Sequence, residues 1–375
     1  MFHLVFNADE NYIKYLAVLI TSIIKKTDTS KNFKELCQQK PFSGSETCKA
    51  HCHINCDDLI VEGYCFHILT NKLSENTRSK LQILQDALCT AYPCEIIIHT
   101  LDEKIFSDFP KTGAAHSSYL PYFRLKLTSV LDKEVDKCLY LDSDMLVNCD
   151  LRELFCIDLK DYCLAAVNDP GTKKRKILFQ KEKKIQSHSF DTNYFNSGFL
   201  LINLKEYKKA KIEEKCAQLA KNCFYITAAD QDLLNATIES EKIFKLPFTY
   251  NFIVITMAFA ITLDEDKNRL QYTRKEFTKA FQNPKIYHYG EKPWKYLQSF
   301  TDYKGCNIND FWWEMAALTP VFNEELLQEK KQIKEYLQIA AYGFEALNLY
   351  RKWNFFGFKN VIKNDLEDLS QTSKI

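Results

Sequence analysis

The stretch CLYLDSDMLVN, residues 138–148, decides how the chain is read. An apolar run, Cys138 to Leu141, stops at two acids, Asp142 and Asp144, with Ser143 between them; a second apolar run starts at Met145. The first run has the length and composition of a buried strand. In α/β sheets ligands bind beyond the carboxyl ends of the strands, which is where these acids fall. In extended chain, residues i and i+2 point the same way, about 6.6 Å apart, so both carboxylates can face one centre. Two acids at a buried strand end are costly unless a cation neutralises them. Oxygen donors favour a hard dication, Mg²⁺ or Mn²⁺. The competing reading is a turn whose acids cap a helix.

Working outward, the first 100 residues alternate strands and helices. HLVF (3–6) is an expected strand, and 11–26 carries the apolar period of a helix. YCFHILT (64–70), SENTRSKLQILQDAL (74–88) and CEIIIHT (94–100) follow as strand, capped helix and strand. That β-α-β-α-β order predicts an α/β fold, a mainly parallel sheet covered by helices. Further on, PYFRLKLTSVL (121–131), 205–221 and 231–238 are expected helices, and 162–167 and 198–204 expected strands. IVITMAFAITL (253–263) is too short to cross a membrane and fits a buried strand or helix.

Residues 28–62 interrupt this alternation as a polar, Cys-rich insertion. CKAHCHINC (48–56) places Cys48, Cys52 and Cys56 beside two histidines, a spacing that admits a structural Zn²⁺. Ordinary thiols are the blander reading, and the other cysteines among the 14 sit mostly alone in apolar contexts, as expected of a reducing compartment. Charged residues make up 26% of the 375, and the net charge of +1 argues against a nucleic-acid polymer as partner. Acids at Asp9 and Glu10 interrupt any N-terminal signal sequence, so the expected address is cytoplasmic.

Other polar residues collect where the pattern puts strand ends and helix starts. FNADENY (6–12) offers Asp9, Asn11 and Tyr12, suited to a base and ribose or to capping the next helix. Arg124 stands in an otherwise half-buried helix pattern, either meeting an anion or reaching out to solvent. YFNSGFLLINL (194–204) brings Asn196 and Ser197, AADQDLLN (228–235) brings Asp230, Gln231 and Asp232, and IYHYGEKPW (286–294) brings His288, Gly290 and Lys292. A neutral imidazole suits Mn²⁺ as a third ligand.

Taken together and in order, FNADENY, PYFRLKL, YLDSDMLVN, YFNSGFLLINL, DQDLLN and HYGEKPW resemble the family-8 retaining glycosyltransferases, most closely those of bacterial lipopolysaccharide synthesis that transfer galactose or glucose. The resemblance covers about residues 2–70 and 94–296. It implies a GT-A type fold over 1–300, with 301–375 as a C-terminal helical, basic-aromatic appendage. It implies a UDP-hexose donor (UDP-galactose or UDP-glucose), a glycolipid or oligosaccharide acceptor, and Mn²⁺ or Mg²⁺ held by Asp142, Asp144 and His288. Asp9, Asn11 and Tyr12 match the uridine-binding segment. Arg124, Asp142 and Ser143 fall on the donor sugar and ribose side, Asn196 beside the transferred sugar, and Gly290 and Lys292 at the diphosphate. His116 and Asp169 match acceptor contacts. The catalytic group is Gln231 with Asp230 and Asp232. Gln231 stands at the family's candidate nucleophile position, and Asp232 is the nearest carboxylate alternative. The HYGEK loop is two residues shorter than the spacing of the galactosyltransferase branch.

Two basic segments add to this. TKKRKILFQKEKK (172–184), with seven Lys/Arg and one Glu, is either a solvated loop or a lid over the diphosphate. YRKWNFFGFKNVIK (350–363), with five aromatics and four Lys/Arg, follows a long helix expected over 321–352. It suits peripheral attachment to the inner face of the cytoplasmic membrane, or docking onto the protein's own core. Besides a hexosyltransferase, the pattern admits a non-catalytic nucleotide-sugar or glycan binder and, more remotely, a metal-dependent nucleotidyltransferase.

Overall fold

The structure is a computed structural model that describes residues 1–38, 62–111, 118–171, 175–190, 192–257, 271–297 and 299–341. Cys48, Cys52, Cys56, His116 and the tail at 350–363 lie outside the described residues. The chain opens with β1 (Phe2–Asn7), α1 (Ile13–Lys25), α2 (Phe33–Gln38), β2 (Tyr64–Thr70), α3 (Glu75–Cys89) and β3 (Cys94–Thr100). α3 starts where Ser74 accepts from the Thr77 backbone N–H (3.2 Å), the cap its sequence announces.

Over 121–131 the expected helix is mostly a tighter turn. A 3-10 segment, Leu120–Lys126, leads into α4 (Leu127–Val130). Three residues per turn set Arg124 above Pro121, whose carbonyl accepts from its Nε (3.2 Å). β4 (Lys137–Leu141), β5 (Met145–Val147), α5 (Arg152–Phe155) and β6 (Leu164–Asn168) follow. The basic segment expected as a loop is instead a hairpin over its described residues, β7 (Lys176–Lys181) and β8 (Lys184–Ser189). Its two-residue turn, Glu182 and Lys183, has φ of 51° and 61°, the left-handed pair that matches strand twist.

β9 (Phe195–Asn203) runs into α6 (Leu204–Lys209) and α7 (Ile212–Asn222). The single helix expected over 205–221 breaks at Lys211, whose φ is 54°. Then come β10 (Cys223–Tyr225), α8 (Ala229–Thr237), β11 (Ile243–Lys245), β12 (Phe252–Ile253), α9 (Arg274–Gln282), β13 (Ile286–His288), α10 (Ile308–Leu318) and α11 (Asn323–Ala341).

Seven strands form the main sheet in the order β11-β6-β9-β4-β1-β2-β3. Among the described residues only β9 runs against its neighbours, so the sheet is mixed and mainly parallel. A three-stranded sheet, β12-β13-β5, lies beside it, and β10-β7-β8 form a third. Asp142–Asp144 is the link by which the chain leaves the main sheet at β4 and enters the small one at β5. The apolar runs on either side are therefore buried in different sheets.

One face of the main sheet packs Leu4, Phe6 and Leu139 against Leu16, Ile20 and Ile23 of α1. The other packs Val5 and Tyr140 against Phe123, Leu233 and their neighbours. Residues 308–326, placed with the appendage on sequence grounds, bury Ile308, Trp312, Trp313 and Leu326 in the same core as α1. Cys37 and Cys156 are joined as a disulfide, a departure from the expectation of isolated cysteines in a reducing compartment. Among the described residues no helix is long and apolar enough to cross a membrane.

Candidate active site

β4 ends with its side chains buried, and Asp142 donates its backbone N–H to Gly198 O of β9 (2.8 Å). β5 pairs antiparallel with β13 in a register that sets His288 opposite Met145. That register brings the imidazole beside the acid preceding Met145. His288 Nε2 lies 3.5 Å from Asp144 Oδ1 and 3.9 Å from Asp142 Oδ2. The three ligand-capable atoms lie within 4.8 Å of one another. The separations exceed hydrogen bonds but suit a shared ion, since metal–oxygen bonds of about 2.1 Å place adjacent ligands roughly 3 Å apart.

The ring is held in place from its other side. His288 Nδ1 pairs with Asn251 Oδ1 (2.9 Å), while Asn251 Nδ2 donates to Asn196 Oδ1 (2.9 Å). This support leaves Nε2 facing the acids. Asp144 divides its oxygens: Oδ1 faces His288, and Oδ2 accepts from the Gly290 N–H (3.1 Å) and from Lys292. Gly290 adopts φ of 56°, a turn suited to glycine. Burial works against the Asp144 carboxylate, but Lys292 and His288 outweigh it and hold it well below the ordinary carboxylate range.

Arg124, 6% exposed, lies on the inner side of the acids. Its guanidinium donates to Asp142 Oδ1 (2.8 Å) and Ser197 O (2.7 Å), and its Nε pairs with Asp230 Oδ2 (3.1 Å). The reading of Arg124 as a side chain reaching solvent is corrected: two carboxylates hold it inside. Burial pushes the Asp230 carboxyl up to about 6, against the pull of Arg124. Tyr140 OH also donates to Asp142 Oδ1 (3.0 Å). The Ser143 hydroxyl turns away onto Asn7 O (2.7 Å).

β9 and the start of α8 close the floor. Gln231 Oε1 accepts from Asn196 Nδ2 (3.1 Å) and the Ser197 N–H (3.0 Å); its Nε2 donates to Asp169 Oδ2 (3.0 Å) and Tyr194 OH (3.1 Å). Asp232 is fully buried and accepts from Tyr194 OH (2.5 Å), Thr227 N (2.9 Å) and Ala228 N (2.8 Å). At the mouth, Asp9 Oδ1 accepts from the Asn11 and Tyr12 N–H groups (3.0 Å each), so the Asp9 carboxylate braces the turn into α1. Tyr12 meets Trp294 edge to face at 6.1 Å, which joins this segment to the one carrying Lys292.

Thus Asp142, Asp144, His288 and Lys292 converge, with Arg124, Asn196, Asp230, Gln231 and Asp169 in one hydrogen-bonded network beneath them. Sequence reasoning passed over Gly198 and Asn251. A Cβ on Gly198 would lie 2.6 Å from Asp142 Oδ2 and 2.7 Å from His288 Cε1. A glycine inside an apolar strand was the available signal of close approach. Asn251, one polar residue in PFTYNF, gave none.

Comparison with known proteins bears on the family and the fold. A putative glycosyltransferase of Haemophilus influenzae is 30% identical over 234 residues, 62% of this chain and 58% of that protein. The lipopolysaccharide 1,2-glucosyltransferase of Escherichia coli is 30% identical over 216 residues, 56% of this chain and 59% of its own. The chain thus spans less than two thirds of these curated relatives. The galactosyltransferase LgtC, solved with donor and acceptor sugar analogues, superposes with a TM-score of 0.56 at 23% identity, covering 87% of this chain and 99% of that one. That likeness bears on the fold, which is of the GT-A type. The description "Glycosyl transferase family 8" matches residues 3–298, a span that holds all six ordered segments and every side chain of the site above, so the chain belongs to glycosyl transferase family 8.

Proposed function

We propose that the chain transfers a hexose, galactose or glucose, from a UDP-sugar to a saccharide acceptor with retention of configuration, using a divalent cation. The observation that carries this is the convergence of Asp142, Asp144 and His288, with Lys292 on the second oxygen of Asp144. Two carboxylates and an imidazole suit Mn²⁺, with Mg²⁺ as the harder alternative. When bound, the ion would neutralise the diphosphate as the anomeric bond breaks.

The chain's own groups supply the rest. Lys292 offers a second positive charge to the departing diphosphate. Asp9, Asn11, Tyr12, Arg124, Asn196 and Gly290 line the donor side with the backbone of Ser143, whose hydroxyl is turned onto Asn7 O, and His116 and Asp169 serve the acceptor. Gln231 has all its amide contacts fixed by Asn196, Ser197, Asp169 and Tyr194, and an amide is a poor nucleophile. Asp232 is committed to Tyr194 and the 227–228 backbone, and Asp230 to Ser197 and Arg124. These commitments favour a front-face route, in which the leaving phosphate guides the acceptor hydroxyl. Gln231 and Asp230 then position and stabilise the sugar rather than attack it. The acceptor is a lipopolysaccharide or lipooligosaccharide, reached at the inner face of the cytoplasmic membrane through the basic-aromatic tail at 350–363.

The test is UDP release from a panel of UDP-sugars with and without Mn²⁺. UDP-galactose or UDP-glucose turns over only with the metal, and the product keeps the α configuration by NMR. A chain that binds UDP-hexose but releases no UDP with any acceptor is the non-catalytic binder instead.

A further inference from the structure

A second cluster of metal-ligating side chains lies on β1, β2 and β3, outside the network described above. His3 pairs in register with Cys65, and Val5 with His67. Alternate residues of neighbouring strands share a face, so His3, Cys65 and His67 project to the same side, about 5 Å from strand to strand. One nitrogen of His3, one of His67 and the Cys65 thiol lie within 4.8 Å of one another. His3 Nδ1 is 2.9 Å from His67 Nε2, and His67 Nδ1 is 2.9 Å from His99 Nε2 on β3.

We propose that His3, Cys65 and His67 form a binding site for a borderline d-block dication, Zn²⁺ by preference, distinct from the acidic site. The donor set is two imidazoles and a thiolate, which suits zinc and rejects Mg²⁺ or Mn²⁺. Zinc–nitrogen and zinc–sulfur bonds of about 2.0 and 2.3 Å put ligand atoms roughly 3.4–3.6 Å apart. The His3–His67 contact therefore opens by about half an ångström as the ion replaces the shared proton. His67 Nδ1–H then donates to His99, fixing the tautomer that leaves Nε2 for the metal. Burial keeps His67 uncharged, so the proton shared with His3 is the one the ion displaces there. Burial pushes the Cys65 thiol up to about 12, and the ion displaces its proton on binding.

Charges of both signs lie near the cluster: the N-terminal ammonium and Asp132 act on His3 and Cys65, Glu95 acts on Cys65, and Asp132 acts on His99. His3 is half-buried, so one edge of the cluster borders solvent. His3 lies four positions before Asn7 at the carboxyl end of β1, about 13 Å along the strand. The site would therefore clamp β1 to β2 well away from the sugar chemistry.

Co²⁺ titration of the full chain tests this, after chelator treatment and with Cys48, Cys52 and Cys56 replaced by serine to silence that insertion. One equivalent gives a thiolate-to-cobalt charge-transfer band, which the two-acid, one-histidine site cannot produce. Cys65→Ser abolishes the band, and His3→Gln weakens Co²⁺ affinity at least 10-fold while leaving the metal-free melting temperature unchanged. Zn²⁺ bleaches the band stoichiometrically. No band in the parent, or a band unchanged in both Cys65→Ser and His3→Gln, overturns the proposal. Neither outcome bears on sugar transfer, which is read separately as UDP release.

Discussion

Gly198 lies against both Asp142 and His288, and its missing side chain leaves room for the two to face each other. A methyl group there would sit 2.6 Å from Asp142 Oδ2 and 2.7 Å from His288 Cε1. Neither neighbour yields freely: Asp142 is tied to Arg124 and Tyr140, and His288 to Asn251. Gly198→Ala is expected to cut Mn²⁺-dependent turnover about 100-fold through displaced ligands, with the far-ultraviolet spectrum unchanged. Full activity in that variant would sink the shared-ion geometry. Asn251→Leu removes the group that orients His288, and Mn²⁺ affinity falls about 10- to 100-fold in equilibrium dialysis. That the acids, His288 and Lys292 stand together was legible from their order taken with the family resemblance. Asn251 was not, because a supporting amide declares itself only when the ring it orients is in view.

At the scale of elements, polar side chains hold the framework at two places the strand and helix pattern did not reveal. Arg152 of α5 is 1% exposed and donates to Asp150, Glu62, Tyr92 and the carbonyls of Asp28 and Lys31. It ties both described ends of the insertion to the sheet. Arg152→Met leaves the half-buried Asp150 without its charge partner and the other acceptors around it without their donor, and is expected to cost about 3 kcal/mol in urea denaturation. The second place is the imidazole row on β1, β2 and β3. His67 is held at about 3, chiefly by burial and then by the neighbouring rings, against an ordinary value of 6.5. The unfolded chain thus takes up a proton that the folded chain refuses between those values, and stability falls with acidification across that window. In metal-free protein this ring contributes a loss of about 2 kcal/mol from pH 7 to pH 5. His67→Gln should flatten that part of the profile; an identical pH dependence in the variant would show that the ring is not its source. Boundaries were the poorly legible part of these elements. The break at Lys211 and the 3-10 turn before Arg124 follow from backbone geometry and tertiary contacts, to which apolar periodicity is blind.

For the whole molecule the question is where the folded unit ends. The change of composition after Trp294 reads as an appendage, yet Trp312 and Trp313 are buried to 0% and 1% exposure in the core that holds α1. Tyr15 of α1 stacks on Trp294 at 3.8 Å and meets Trp312 at 6.1 Å, so the helix after the first strand and the last well-packed helix share one aromatic cluster. Sequence pattern could not show this, because an aromatic helix that docks on its own core and one that docks elsewhere have the same composition. Energetics separates the two. Each tryptophan removes about 150–250 Å² from water, worth roughly 4–6 kcal/mol at about 25 cal/mol per Å². Losing both, along with Ile308 and Leu326, consumes most of a reserve of about 5–15 kcal/mol. A chain ended at residue 306 should therefore be recovered aggregated, or melt at least 15 °C lower, whereas a chain ended at 341 should keep the parent melting temperature and its UDP release on a soluble acceptor. Equal thermal stability for the 306 and 341 chains would mean that α10 is dispensable to the core, and that the folded unit closes at residue 300 after all.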